Sequence, residues 1–310
     1  MGRIVLRRLI YMLTTMLLAS VALFLLFEVD PESVAANALG QYSTIEQRRL
    51  WLAQHGYDQP LVLRYAAWLA RFVTGELGQS RVFNQPVADI LLVRAGNSAI
   101  LALAFFAIMV PLAIGLGVLA GMREGSPLDR VISVLSIVTT SVPPFASGVF
   151  VTAILVFWLG LLPGTSSMID GFRARELVLP VLVLVLYDLG YVARITRGAM
   201  ADAMTSAYVR TAILKGIPRR RVVLRHALRN ALVAPFTVIM LQVNWLIGGV
   251  IVVEFLFAYK GLGSLILEAS LNRDIFLIQA STMLTIGLAV LTQSIADIGY
   301  VILNPRIRYK

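Results

Sequence analysis

The chain has no cysteine, only two histidines and few charged residues. Without cysteine it can form no disulfide bond, no thiolate metal site and no cysteine nucleophile. Charged residues make up 14% of the 310 positions and hydrophobic residues 58%, whereas soluble domains average about 25% and about 45–50%. The sequence also lacks a phosphate-binding Gly-x-x-x-x-Gly-Lys-Ser/Thr loop. The apolar excess indicates an integral membrane protein.

Six apolar runs are long enough to cross a bilayer, which takes about 20 helical residues. Only one of them contains a charged residue, Asp188. Pro143 and Pro144 interrupt the third run and must break its helical hydrogen-bond ladder, so we expect one kinked span that ends near Leu161. The runs are residues 9–27, 95–122, 131–169, 177–193, 231–253 and 275–296.

The first run has an alternative interpretation as a cleaved signal peptide. Three arginines precede it, and residues 36–38 read Ala-Asn-Ala, which resembles a cleavage site. Signal peptides usually have an apolar core of about 7–15 residues. The run at residues 9–27 is longer, which favours a first membrane span.

The distribution of basic residues predicts the orientation, because cytoplasmic loops carry an excess of Lys and Arg. With the amino terminus inside, the inner segments hold 17 basic and 3 acidic residues, and the outer segments hold 10 basic and 12 acidic residues. The net charge of +10 therefore follows from topology and requires no nucleic-acid partner. We predict an all-α integral membrane protein with six transmembrane helices and both termini in the cytoplasm.

The predicted domain organisation has three parts. An external helical segment separates the first span from the core domain, which holds helices 2–6 and a cytoplasmic loop at about residues 197–230. The parts are residues 1–27, with the amino terminus and transmembrane helix 1, residues 28–94, the external segment, and residues 95–310, the core domain.

The external segment contains its own helix signals. Ser43-Thr44-Ile45-Glu46 fits a capping box, and Gly56 can end the short helix that follows. The segment is either a helical cap at the membrane surface, with Trp51 and Trp68 at the interface, or a surface that meets an external partner. The spacing of its residues is compatible with both.

The stretch from Tyr208 to Leu232 contains seven basic residues and no acid. A helix is expected up to Lys215, Gly216 is a natural left-handed stop, and Pro218 suits the first turn of a second helix. The stretch either anchors the neighbouring spans to phospholipid headgroups or forms a compact protrusion that contacts a partner protein. Anchoring does not need a Gly-x-Pro corner far from both spans, so the corner favours the second interpretation.

Four segments resemble the membrane subunits of ABC importers, in the branch of dipeptide, oligopeptide and nickel permeases, and among these the first (B-type) of the two permeases. The basic stretch is similar to the cytoplasmic coupling loop of that branch, with Ala212 and Gly216 at matching positions of the Glu-Ala-Ala…Gly signature. The other similar segments are residues 58–80, 254–274 and 304–309.

Several positions depart from the pattern of that branch. Residues 210–211 are Arg-Thr where Glu-Ala is usual, and His226 and Arg229 replace the first and last residues of the Ile-x-Leu-Pro end. Residues 28–31 and 94–98 also differ from the usual Pro-Gly-Asp-Pro and Arg-Leu-Pro-x-Thr. These last two segments lie near the predicted external mouth, so they bear on substrate and partner contacts more than on architecture.

The resemblance implies half of a translocation pathway, completed by a homologous second permease. It implies that two ATP-binding subunits dock on the cytoplasmic face, that ATP and Mg²⁺ bind to them and not to this chain, and that an external binding protein delivers substrate. It implies no catalytic, cofactor or metal site here, and a location in the bacterial plasma (inner) membrane. The implied docking residues are Ala207, Tyr208, Arg210, Thr211, Ala212, Lys215, Gly216, Ile217, Pro218, Arg219, Arg220 and Arg221.

Polar residues inside the spans are candidates for the translocation path, because they are costly to place in lipid. Hydrogen bonding between helices is the alternative role for all of them. For the two acids, pairing with Arg194 or another basic group is a further alternative. The candidates are Ser141, Asp188, Gln242, Asn244, Gln293 and Asp297.

Two other functional classes fit the sequence less well. His55 and His226 fall on opposite sides of the predicted membrane, so they cannot form an intramembrane hydrolase site. An ion-gradient-driven secondary transporter would work alone and often contains inverted repeats, and the sequence shows no convincing repeat. The resemblance implies a permease subunit of an ATP-driven importer, with short peptides as the commonest substrates of the branch and nickel chelates, opines and glutathione as alternative substrates.

Overall fold

The computed structural model describes residues 2–40, 42–168 and 171–303. Within these ranges the chain is helical, and its only strand-like pairing is an isolated bridge between Gln79 and Pro86. The closing segment predicted at residues 304–309 lies outside the described residues. The helices are α1 (Gly2–Glu28), α2 (Pro31–Leu39), α3 (Ile45–Gln54), α4 (Leu61–Thr74), α5 (Val87–Gly121), α6 (Pro127–Ser141), α7 (Pro144–Thr152), α8 (Ala174–Thr205), α9 (Ala207–Leu214), α10 (Arg219–Arg221), α11 (Leu228–Ala231), α12 (Val233–Leu256), α13 (Leu262–Leu271) and α14 (Ile275–Leu303), with π-helical segments at Ala153–Trp158 and Val222–Ala227.

Four of the described helices, α1, α5, α8 and α14, are long and apolar enough to cross a membrane. The number rises to six if each of two bent helix pairs counts as one span. Each of the six apolar runs predicted from sequence overlaps one of these helices or pairs. The expectation of an all-α membrane protein is therefore confirmed.

The pair formed by α6 and α7 is broken at two prolines. α6 ends at Ser141, α7 begins at Pro144, and the two parts are bent by 102°. Val142 and Pro143 have extended backbone angles, because a residue before proline is driven out of the helical region and proline offers no N–H donor. The predicted interruption is confirmed, and it is a sharp break.

The chain divides into two compact units. Unit 1 combines Met1–Ser98 with Lys260–Ser294. Its core packs the start of α5 against α13 and α14, where Val87, Leu265 and Leu277 are fully buried. This unit therefore joins segments that are distant in the sequence.

Helix α3 of unit 1 begins with a capping box one residue later than predicted. The Thr44 hydroxyl oxygen accepts a hydrogen bond from the backbone N–H of Gln47 at 3.2 Å, and the Gln47 side-chain oxygen accepts one from the backbone N–H of Thr44 at 2.9 Å. The predicted box of Ser43 and Glu46 is wrong, because the Ser43 hydroxyl donates to the Gly40 carbonyl. Ser43 is thereby used in the preceding turn.

Unit 2 combines Ala99–Tyr259 with Ile295–Lys310. Its core is built mainly by α5, α8 and α12, where Phe105, Leu184 and Val253 are fully buried. Both bent helix pairs and the basic stretch belong to this unit. It therefore contains the segments to which the sequence assigned most functional residues.

Two glycines allow α5 to approach α8 closely in unit 2. A Cβ atom at Gly117 would overlap the carbonyl oxygen of Ala193, and one at Gly121 would overlap that of Arg197. Glycines four residues apart lie on one helix face and permit such backbone contact, as in Gly-x-x-x-Gly pairs of membrane helices. The end of α5 is therefore held tightly against α8.

Candidate functional site

The predicted cytoplasmic loop is an extension of α8 followed by a compact helical hairpin, the basic hairpin (residues 206–231). α8 continues to Thr205, where Ser206 turns to an extended conformation with φ −65° and ψ 150° and precedes α9. After a short turn, α10, the π-helical segment and α11 form the returning arm. The helix–turn–helix expected around Gly216 is confirmed, but the first helix, expected to run unbroken from Ala199 to Lys215, is divided at Ser206.

Gly216 forms the corner of the basic hairpin. Its φ of +71° lies in the left-handed region that glycine enters without steric penalty. The N–H of Gly216 bonds to the Ile213 carbonyl at 2.9 Å, and the N–H of Ile217 bonds to the Ala212 carbonyl at 3.3 Å. These two bonds close the end of α9 as a Schellman motif, and Pro218 directly precedes the returning arm.

The two arms of the basic hairpin share a small apolar core. Val209, Val222 and Ala227 are fully buried, and they belong to one cluster with Met200 of α8. Met122, just beyond α5, packs against the same cluster. Because packed interiors resist deformation, the hairpin and the ends of α5 and α8 should move as one body.

Most of the residues predicted to dock a partner are available at the surface. Ten of the twelve are exposed. The exceptions are Ala212, which is buried in the hairpin core, and Ile217, which is half-buried against it. These two residues pack in the hairpin core, beneath the exposed residues.

Three exposed apolar side chains on the basic hairpin lie within the predicted contact region, near Ala207 to Leu224, but were not among the named docking residues. Ile213 is 54% exposed, Leu214 81% and Leu224 53%. The sequence contains a signal for Leu214. Residues three or four apart share a helix face, and Leu214 lies five residues after Val209 and two after Ala212, so it falls outside the buried stripe of α9. Ile213 lies four residues after Val209, and its exposure does not follow from this spacing.

The basic hairpin also has a strongly positive surface. Its seven Lys and Arg residues are all exposed, and none of the ion pairs identified in the described chain involves them. The surface therefore combines exposed apolar side chains with uncompensated positive charge. Such a surface complements a partner groove with apolar walls and an acidic rim.

An ion pair joins the start of α6 to α8. The Arg197 Nε and Nη2 atoms donate to the two carboxylate oxygens of Asp129 at 2.6 and 2.8 Å, a bidentate geometry that is among the stronger polar contacts. Asp129 is buried and also accepts a bond from the N–H of Gly125 at 2.9 Å. Sequence reasoning missed this pair, although Ser126, which caps α6, places Asp129 in its first turn.

The structure brings two of the candidate path residues together. Gln242 Nε2 of α12 donates to Asp188 Oδ1 of α8 at 2.5 Å, and Asp188 is 1% exposed. Next to them in the sequence, Tyr187 stacks on Trp245 with a ring-centroid distance of 4.9 Å. These contacts connect the two long helices that flank the basic hairpin.

The other four candidates have different surroundings. Ser141 is exposed at the end of α6, where its hydroxyl donates to the Ile137 carbonyl at 2.8 Å. On α14, Gln293 is half-buried and Asp297 is buried, and both interact with other residues. The side chain of Asn244 lies outside the described part of the chain. Their role in a pathway stays a prediction.

The sequence matches two families that cover most of its length. Residues 113–309 match the family described as "Binding-protein-dependent transport system inner membrane component". Residues 1–94 match "Binding-prot-dependent transport system membrane comp, N-term". The first match includes the basic hairpin and all the candidate path residues.

Several curated relatives align with the chain from end to end. A protein of Brucella abortus (strain 2308), named for a peptide transport system permease, is 36% identical over 317 residues, which is 100% of each chain. The oligopeptide transport system permease protein AppB of Bacillus subtilis (strain 168) is 31% identical over 316 residues, again 100% of each. The glutathione transport system permease protein GsiC of Shigella flexneri serotype 5b (strain 8401) is 32% identical over 306 residues, 99% of each. The chain therefore belongs to the binding-protein-dependent transport system inner membrane components and is a multi-pass protein of the bacterial inner membrane.

Proposed function

We propose that this chain is the permease subunit of an ATP-driven, binding-protein-dependent importer of short peptides. The names of its relatives support this substrate class. The Brucella and Bacillus proteins are named for peptides and oligopeptides, and the Shigella protein is named for glutathione, itself a tripeptide. Nickel chelates and opines are the alternative substrates within the same branch.

The observation that carries the proposal is the construction of the basic hairpin. A fixed corner at Gly216 holds Leu214 exposed beside uncompensated basic residues. Two ATP-hydrolysing subunits dock on the cytoplasmic face of the importer, where this surface provides a contact, and ATP and Mg²⁺ bind to those subunits. A rigid element bound to a moving partner transmits rigid-body motion. ATP hydrolysis in the partner subunits therefore supplies the energy with which this chain opens and closes the pathway.

The contacts around α8 supply a route for that motion into the membrane. The core of the basic hairpin includes Met200 of α8. The pair of Arg197 and Asp129 ties α8 to α6, and the pair of Gln242 and Asp188 ties it to α12. A displacement of the hairpin is therefore shared by several helices of unit 2.

The proposed topology has six transmembrane helices, with both termini and the basic hairpin in the cytoplasm. It counts each bent helix pair as one span and places most basic residues inside. Residues 1–27 hold the first span, residues 28–94 form the external segment, and residues 95–310 form the core permease domain. A homologous second permease completes the pathway, and an external binding protein delivers substrate to it.

Site-directed crosslinking tests the docking proposal directly. Because the natural chain has no cysteine, Leu214→Cys introduces a single thiol on the basic hairpin. We expect this variant, in its native membrane, to crosslink to an ATPase subunit. Val73→Cys, on the equally exposed surface of α4, is the matched control and should not do so. Crosslinking from Val73→Cys alone would refute the proposed docking surface.

The same two variants test the orientation. A membrane-impermeant maleimide added to intact cells with an opened outer membrane should label Val73→Cys and leave Leu214→Cys unlabelled. In inside-out vesicles from which the ATPase subunits, which would otherwise cover Leu214, have been removed, the labelling should reverse. Labelling of both variants from the same side would contradict the six-span topology.

A further inference from the structure

Unit 1 contains a cavity of about 450 Å³ that includes none of the functional residues described so far. It lies among the carboxyl end of α1, α3, α4 and the first turns of α14. Six of its eighteen lining residues are Phe, Tyr or Trp. Trp68 packs against Phe24 and Phe72 with ring-centroid distances of 5.8 and 5.7 Å, and Trp51, Tyr57 and Phe276 also line the space. Cavities of about 300–1,000 Å³ with mostly apolar walls are typical ligand sites.

Gln279 of α14 lines this cavity and carries an unused hydrogen-bond donor. Its side-chain oxygen accepts a bond from Trp68 Nε1 at 3.2 Å, which fixes the orientation of the amide. Its Nε2 atom is buried and has no hydrogen-bond partner among the described residues, and the residue is 2% exposed. Leaving a buried donor unpaired costs about 1–3 kcal/mol. The cavity therefore favours a ligand with an oxygen acceptor beside Gln279.

The charges around the cavity balance. Arg64 Nη2 contacts Glu28 Oε2 at 2.7 Å, and both side chains are nearly buried. The guanidinium of Arg64 also lies 4.1 Å from the centroid of the Tyr57 ring, and burial, followed by the charge of Glu28, raises the pKa of the Tyr57 phenol. The only other charged lining residues are Arg71 and Glu76, both exposed. Such a lining favours a zwitterionic ligand over an anionic one.

The cavity adjoins the carboxyl end of α1. α1 is a candidate membrane span, and its apolar residues Leu18, Leu25 and Leu26 are exposed. Phe24 and Glu28, in the final turn of the same helix, form part of the cavity wall. Trp and Tyr rings concentrate at the level of lipid headgroups, so the cluster of Trp and Tyr rings indicates that the cavity lies at this level.

We propose that this cavity binds a zwitterionic phospholipid, with Gln279 Nε2 donating to an ester or phosphate oxygen and the aromatic walls enclosing the glycerol region. The acyl chains would follow the uncovered surface of α1. The bound lipid would fill the cavity in unit 1 and tie the segment before α5 to the membrane surface. This site is separate from the basic hairpin, and its existence does not depend on the proposed transport function.

Tryptophan fluorescence can measure lipid binding in the purified chain. Trp158 and Trp245 lie outside the cavity, so Trp158→Phe with Trp245→Phe leaves Trp51 and Trp68 as reporters. Titration with short-chain diheptanoyl phosphatidylethanolamine should give a saturable change in emission. The anionic diheptanoyl phosphatidylglycerol should bind more weakly, and a dipeptide should not compete.

Gln279→Glu is the sharpest variant in this background. It keeps the side-chain shape and the acceptor for Trp68, and it removes the amide donor. We expect about a tenfold loss of affinity for the phosphatidylethanolamine, the effect of one hydrogen bond of about 1.4 kcal/mol. Gln279→Leu should show a similar loss without any charge. Gln54→Glu, on the exposed face of α3, makes the same charge change outside the cavity and should bind normally.

Three outcomes would overturn the proposal. They are unchanged affinity in both Gln279 variants, tighter binding of the phosphatidylglycerol, and displacement of the lipid by a dipeptide, which would instead make the cavity a substrate site. If a Gln279 variant fails to fold, titrating the chain that keeps Gln279 with the two lipids still tests whether the cavity prefers the zwitterionic lipid. Transport activity enters none of these readouts.

Discussion

Replacing Gly216 by valine should weaken the link between ATP hydrolysis and transport. The residue has a φ of +71°, and no atom beyond Gly216 and its two chain neighbours lies within 4 Å of the position a Cβ would occupy. The penalty is therefore in the backbone alone. It amounts to about 1–2 kcal/mol for an ordinary L-residue in the left-handed region, and a β-branched side chain is among the worst cases.

This strain is large enough to change the shape of the corner and too small to unfold the chain. An energy of about 1.4 kcal/mol changes a population ratio tenfold, so a valine variant should spend much of its time with an altered turn. The core of the basic hairpin, with Val209, Val222 and Ala227 buried, should keep the two arms folded. We therefore expect complexes that assemble but couple poorly.

The assay is the complete importer reconstituted in vesicles, with ATP hydrolysis and solute uptake measured together. We expect the solute moved per ATP to fall about tenfold in Gly216→Val, in line with the altered population, and to be largely kept in Gly216→Asn, since Asn tolerates this region. Gly75→Val is the matched control, because Gly75 has a φ of +85° and equally open surroundings in unit 1. Normal coupling in an assembled Gly216→Val complex would refute the assignment of the corner.

Three further predictions concern contacts described above. Leu214→Asp should reduce recovery of ATPase subunits with the chain about tenfold, the effect of losing one apolar anchor of an interface. Arg197→Met should lower the free energy of unfolding by roughly 3 kcal/mol, because it leaves the buried Asp129 carboxylate without its cation, and a thermal melt should show this. Gln242→Leu and Asp188→Leu should each destabilise by about 1 kcal/mol, and the double variant by less than their sum, since they remove one interhelical hydrogen bond.

Each of these predictions has a matched comparison. Leu271→Asp alters an equally exposed leucine outside the basic hairpin and should leave ATPase recovery unchanged. Arg194→Met removes an exposed arginine from the same helix as Arg197 and should barely change the melt. If a control variant changed ATPase recovery or the melt as much as its partner variant does, the corresponding contact would be contradicted. Strict additivity of the Gln242→Leu and Asp188→Leu effects would contradict the hydrogen bond between these two residues.

The positions of the long helices could be predicted because each depends on an uninterrupted apolar run. The same is true of the breaks, since Pro143, Pro144 and Gly216 restrict or free the backbone wherever they occur. The start of α3 was misplaced by one residue, because Ser43 and Thr44 are both suitable caps. In the structure the Ser43 hydroxyl donates to the Gly40 carbonyl in the preceding turn. Thr44 therefore caps α3 instead of Ser43.

The exposed and buried faces of the basic hairpin could not be separated from the sequence alone. A stretch that contains both basic and apolar residues can bury any of several helix faces. In the structure, the face with Val209 and Ala212 is buried in one cluster with Met200. Pairs such as Asp129 with Arg197 depend on how distant helices pack, which spacing along one helix does not encode. The hydrogen bond between Asp188 and Gln242 also depends on how distant helices pack. The sequence therefore identified both residues as polar candidates within the spans but did not predict that they contact each other.

Reconstitution of the purified chain in vesicles tests the central claim most directly. The account predicts that the chain alone accumulates no solute, with or without an ion gradient, and that uptake requires its ATPase partners, the second permease, the binding protein and ATP. Accumulation by the chain alone, driven by an ion gradient and indifferent to nucleotide, would contradict it.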